Sequence, residues 1–137
     1  MKVRCIANTG KELSAKSIEA GQLRTSEFQL NIGDIYTVYG IALWNGLLVY
    51  LTMDKHYTFP FWHPVELFEG VDNALPSKWY HKFYGNTDGY SGDYFINALW
   101  GYKELVLEEG HYNDLIERKG AAVRIFLKRK QEMDEEY

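Results

Sequence analysis

With one cysteine, three prolines and no long apolar run, the chain has little to staple or stiffen it and nothing to anchor it in a bilayer. Cys5 cannot form an intramolecular disulfide, and its setting K2-V-R-C-I-A7 reads as an inward strand position. Both features predict a reducing compartment, the cytoplasm. The N-terminus lacks the apolar core of a secretory signal, and no stretch approaches the roughly eighteen apolar residues of a membrane span. Positive charge is also in short supply. Fifteen Lys and Arg stand against nineteen Asp and Glu, giving a net charge of -4 and a pI near 5.5. Such a chain has no field to draw it onto nucleic acid or an anionic membrane, so a basic protein is the expected partner.

Catalytic signatures are missing too. The four histidines, His56, His63, His81 and His111, form no i,i+4 pair of a His-Glu-x-x-His helix and join no cysteine pair, so no metal site is expected. The loop N86-T-D-G-Y-S-G-D93 fails as a calcium loop because, counted from Asn86, Tyr90 takes the fifth place and Ser91 the sixth. No Gly-Lys-Ser/Thr follows its glycines, and no Gly-x-Ser-x-Gly elbow occurs anywhere. No cofactor and no catalytic residue is assigned. An enzyme, as the minor alternative, would use His63 or His81 with a nearby carboxylate.

What the chain does have is aromatic surface: eleven Tyr, seven Phe and four Trp. Tyr and Trp suit half-buried positions, where one end stays bonded or hydrated. Residues 2–8 predict a strand, and residues 9–27 a long loop with some local helix. Residues 28–44 and 47–54 predict β-structure around Asn45-Gly46, a pair suited to a two-residue turn with positive φ at both positions. Along this hairpin Ile35, Thr37, Tyr39, Ile41 and Leu43 alternate with Tyr36, Val38, Ala42 and Trp44, and both sets are apolar. The C-terminal half is therefore expected to cover the second face. Residues 78–84 predict one more strand. Residues 94–109 read as helical and broken by Gly101, Asn113 is a candidate cap for a helix over 114–119, and 121–135 carries an amphipathic pattern with Ala122, Val123, Phe126, Leu127 and Met133.

The stretch T58-F-P-F-W-H-P-V-E-L-F-E69 combines aromatics with two prolines. Proline cannot donate to a ladder, so Pro60 and Pro64 exclude a central strand and predict an edge. The aromatics there are expected either to pack under the C-terminal helices or to form a partner-binding patch. The candidate binding residues are Trp44, Tyr57, Phe61, Trp62 and His63, with Asp88 and Asp93 supplying acidic charge beside them.

The order strand, long loop, I32-G-D-I-Y-T-V-Y-G-I41, Asn-Gly hairpin and proline-interrupted strand ending E66-L-F-E69 resembles an SH3-like small barrel over residues 1–72. With W100-G-Y-K-E-L105 added, the chain is similar to a loose group of short bacterial proteins. The resemblance implies an α+β fold: one domain over 1–137, with an SH3-like small antiparallel barrel in 1–72 and C-terminal helices packed on it from 73–137. It also implies a non-catalytic protein-binding module, such as an immunity-type inhibitor of a bacterial toxin. A small-molecule or peptide receptor is the alternative.

Overall fold

A computed structural model describes residues 1–85 and 96–136. The chain order is β1 (Lys2–Cys5), α1 (Ala15–Glu19), β2 (Ile35–Thr37), β3 (Gly40–Trp44), β4 (Leu47–Thr52), β5 (Phe61–Pro64), β6 (Phe68–Asp72), β7 (Tyr80–Phe83), β8 (Ile96–Gly101), α2 (Lys103–Leu107), α3 (His111–Ile116) and α4 (Gly120–Glu135). The fold is α+β, with two antiparallel sheets ordered β2-β1-β6 and β5-β4-β3-β8-β7. Neither sheet is closed among the described residues, so the strands of 1–72 do not form one continuous barrel but divide between the two sheets. No helix of the described residues is long and apolar enough to cross a membrane.

One extended segment, residues 35–44, feeds both sheets. The amide of Val38 donates to Met1 in the smaller sheet, and the next amide, Tyr39, donates to Leu51 in the larger. This hand-over breaks the simple alternation expected from the sequence. Tyr36, Val38 and Ile41 belong to the core around β1, whereas Tyr39 and Ala42 belong to the core under the helices. A Cβ at Gly40 would also meet the helical side, at Leu105 and Trp62. Tyr39 and Gly40 thus address the same side in succession, as at a bulge that re-aims a strand.

Beyond the bend the hairpin proceeds as expected. Asn45 and Gly46 both have positive φ, 47° and 82°, and link the paired residues Trp44 and Leu47. One of its faces is buried and the other partly so, with Leu48 exposed. Ala42, Val49 and Leu51 meet the helices, while Ile41 and Tyr50 pack toward Val3, Leu67 and Phe68. The expectation that the C-terminal half covers one face therefore holds. β5 is an edge strand, paired with β4 alone, as its prolines require.

The helical reading of 94–109 is overturned. Residues 94 and 95 lie outside the described residues; of the rest, 96–101 are β8, inserted between β3 and β7, and only Lys103–Leu107 is helical. Ile96, Asn97, Ala98, Leu99 and Gly101 are all buried, because a central strand covered on both faces has no polar alternation to announce it. Asn113 lies inside α3 rather than before it, and left-handed Gly110 precedes the helix instead. On α4, Ala122, Phe126 and Met133 are buried as expected, but Leu127 is exposed. Asp134, which opposes the helix dipole, is held by Tyr39 Oη at 2.7 Å and Lys130 Nζ at 2.6 Å, and α4 continues to Glu135.

The helices seat on the sheet through two glycines. Gly40 and Gly101 pair across β3 and β8, and a Cβ on either would come 2.7 Å from Leu105 Cδ2. Leu105 is itself buried on all sides and cannot retreat. Gly40→Ala is expected to lower stability by about 1–3 kcal/mol through overpacking. A double-mutant cycle with Leu105→Ala, read by urea denaturation, should recover part of that loss; strictly additive effects would refute the contact.

Candidate functional site

Three of the expected binding residues do come together. Trp44 at the end of β3 and Phe61 and Trp62 on β5 line a cleft of about 280 Å³, closed on its far side by Tyr112, Leu115 and Arg118 of the α3 segment. Trp62 packs on Tyr112 with ring centroids 5.4 Å apart and reaches the main core, which makes the cleft floor part of that core. Trp44 is braced from behind: a Cβ on Gly21, whose φ is +119°, would stand 3.3 Å from its ring. Asn45 Nδ2 donates to the carbonyl of Ala20 at 2.8 Å, tying the hairpin tip to the same turn.

Tyr57 lies beside the cleft rather than in it. It sits edge-on to Phe61 at 5.2 Å and to Phe59 at 6.1 Å, forming an aromatic shoulder. The Arg118 guanidinium lies over this shoulder, 4.1 Å from the Phe59 centroid and 5.2 Å from that of Phe61. The two rings and the cation hold one another in place.

His63 does not face a ligand. It is absent from the cleft lining and 2% exposed, edge-on to Phe28 and stacked on Phe61, whose face of β5 it shares two residues on. Its Nδ1 has no hydrogen-bond partner among the described residues, and burial lowers its pKa to about 4. Its place in the binding patch is therefore corrected to a buried support behind Phe61. Asp88 and Asp93 lie outside the described residues.

Among the described residues neither His63 nor His81 meets a carboxylate. His81 Nδ1 lies 3.1 Å from the carbonyl oxygen of Leu99, and its ring stacks on Trp100. Cys5 is 1% exposed, and burial pushes its thiol pKa up. The histidine that meets a carboxylate is His56, whose Nδ1 lies 2.8 Å from Asp54 Oδ2. Asp54 is buried and accepts also from the His56 amide, Tyr36 Oη and Asn31 Nδ2. Burial alone would push its pKa up, but hydrogen bonds from Tyr36, His56 and Asn31 outweigh it and hold the carboxyl at about 2. This is a satisfied turn, with no serine, threonine or cysteine hydrogen-bonded to His56 among the described residues. No group of three His, Cys, Asp or Glu side chains among them could hold a metal ion.

No family model, no curated protein and no solved structure matches this chain.

Arg118, Tyr112 and Leu115 are among the cleft residues that sequence reasoning missed. Arg118 has φ +59° and is the left-handed residue that closes α3. Its amide bonds Leu115 O and the next amide bonds Asp114 O, the pairing of a Schellman cap. Glycine is the ordinary occupant there, and an L-residue costs roughly 1–2 kcal/mol. An arginine in a glycine position is itself the signal, but it requires knowing where the helix ends.

Two outcomes follow. Arg118→Gly is expected to match or exceed wild-type stability, whereas Arg118→Ala, which keeps the backbone strain and loses the ring contact, should fall about 1 kcal/mol below the glycine variant. Thermal melts of both check the order. For His63, the unfolded ring takes up a proton as pH falls through 6.5 but the folded ring only near 4. Stability is then complete above pH 6.5 and declines by about 3 kcal/mol as pH falls to 4. His111, also lowered mainly by burial, contributes a loss of the same sign as pH falls. In urea titrations His63→Leu should flatten this slope; an unchanged slope would show that His63 is already charged in the fold.

Proposed function

We propose that the protein is a non-catalytic protein-binding module whose cleft beside Arg118 receives a large apolar side chain of its partner. The observation that carries this reading is the cleft's composition: two tryptophans, a phenylalanine, a tyrosine and an arginine, drawn from three separate parts of the chain. Trp, Tyr and Arg are the residues that dominate binding energy at interfaces, and they do so in pockets that exclude water. A volume of about 280 Å³ falls just below the ordinary range of small-molecule sites, roughly 300–1,000 Å³, and suits a single anchoring side chain. Its floor is rigid because Trp62 belongs to the core, which lowers the entropic cost of docking.

An immunity-type inhibitor of a bacterial toxin is the form of module to which the resemblance leads. Net charge of -4 favours a partner that is basic overall, and a cytoplasmic setting belongs to the same proposal. The SH3-like arrangement of residues 1–72 is likewise proposed. It is supported by the pairing of β1 with both β2 and β6, by the segment shared between the sheets, and by the tight helical turn Val65–Leu67 that joins β5 to β6. Treating 1–137 as one domain is supported by Trp79, which packs against both cores. A second reading, a receptor for a free small molecule, draws on the concavity of the same cleft.

Site-specific photo-crosslinking separates these readings. A photoreactive residue at Gln22, on the cleft border, should give adducts of polypeptide mass in cells of the native source, and one at exposed Val71 on β6 should not. Adducts at both positions or at neither would reject the proposal. Adducts of only a few hundred daltons at Gln22 would transfer it to the small-molecule reading.

A further inference from the structure

The charges around the cleft are arranged so as to leave one of them over. At the end of α3 the two nearest acids, Asp114 and Glu117, are both engaged by Lys119, at 3.3 and 3.4 Å. Arg118, between Glu117 and Lys119 in sequence, has no carboxylate partner and donates no side-chain hydrogen bond among the described residues; its guanidinium lies over the faces of Phe59 and Phe61. A guanidinium lying over a ring keeps its in-plane N–H donors available, and these match the two oxygens of a carboxylate. Among the described residues no acidic side chain lines the cleft to compete for them. The backbone at 118 adds an independent mark. Asn45 and Arg118 are the non-glycine residues with positive φ among those described, and asparagine tolerates that conformation whereas arginine gains nothing from it. The side chain, not the backbone, accounts for the choice.

We propose that the cleft recognises a protein segment in which a large apolar side chain is followed by a carboxylate: the side chain enters between Trp44, Trp62 and Tyr112, and the carboxylate takes the free donors of Arg118. This rests on the cleft being the binding site. It adds a local acidic requirement to a partner that is otherwise basic.

The test uses short peptides on the whole protein, read by the indole N–H signals of Trp44 and Trp62. Acetyl-Phe-Asp-amide is compared with its neutral isostere acetyl-Phe-Asn-amide and with 3-phenylpropionate as a free small acid. The aspartyl peptide is expected to bind about tenfold more tightly than the asparaginyl one at low salt, a preference that shrinks as salt is raised. Arg118→Gln should abolish the preference, so that the aspartyl and asparaginyl peptides bind with the same affinity as each other. Arg118→Gly, which suits the left-handed position, should do the same and so separates lost recognition from lost folding. Equal binding of both peptides to the wild type would overturn the carboxylate requirement and leave cleft binding standing. Silence of both indole signals with all three probes would overturn the two together. Tighter binding of 3-phenylpropionate than of the aspartyl peptide would overturn the choice of a protein segment.

Discussion

Everything in this fold hangs on the transfer of backbone hydrogen bonds from one sheet to the other between Val38 and Tyr39. A segment that belongs to two sheets fixes their mutual orientation without a linker, and it separates two apolar cores that neither sheet could bury alone. Gly40, immediately after the transfer, is the point at which β3 can accept α2, since the Leu105 side chain occupies the space a Cβ would take. From that seat the rest of the C-terminal half is placed in turn. Arg129 on α4 forks onto Glu104 of α2 with two bonds of 2.8 Å, α3 lies between those helices in sequence, and its last turn becomes the wall of the cleft. The site is thus a consequence of how the helices land on the sheet, with its tryptophans on β3 and β5 and Arg118 on the turn that closes α3.

Polar groups reinforce the same plan where it is buried. Asn97, inside the central strand β8, donates to Gly85 O and accepts from the Gly46 amide, so it costs the core little. Asp54 gathers four donors and stays ionised under cover. His63 differs from both. It lies among aromatic neighbours and is neutral, a core residue whose Nδ1 has no partner among the described residues.

Much of this was legible from residue order because the relevant rules are local. Asn45-Gly46 specifies its own turn, Pro60 and Pro64 specify an edge, and inward Cys5 specifies a strand face. Trp44, Phe61 and Trp62 could be grouped because the hairpin and its edge strand bring them close, and Tyr57 follows within the same turn. What could not be read depends on tertiary company. β8 looks helical by spacing because both its faces are covered, and its place inside the sheet is decided by β3, a strand remote in sequence, on the side away from its chain neighbour β7. The reversal of parity after Val38 has no local marker except Gly40. His63 looked like a ligand-facing residue because alternation alone does not say which side of an edge strand is enclosed, and Arg118 carried no mark until the end of α3 was known.

The Asn45-Gly46 turn has a chemical consequence. Asparagine followed by glycine is the dipeptide most given to spontaneous deamidation, in which the glycine nitrogen attacks the side-chain carbonyl, closes a succinimide and expels ammonia. Here that nitrogen donates its hydrogen to Asn97, and the leaving amide is held by Ala20. Both reacting groups are restrained while the hairpin is folded and are released when it opens. Isoaspartate accumulating at position 45 would therefore act as a slow chemical clock, recording how much of its lifetime each molecule has spent with this hairpin undone.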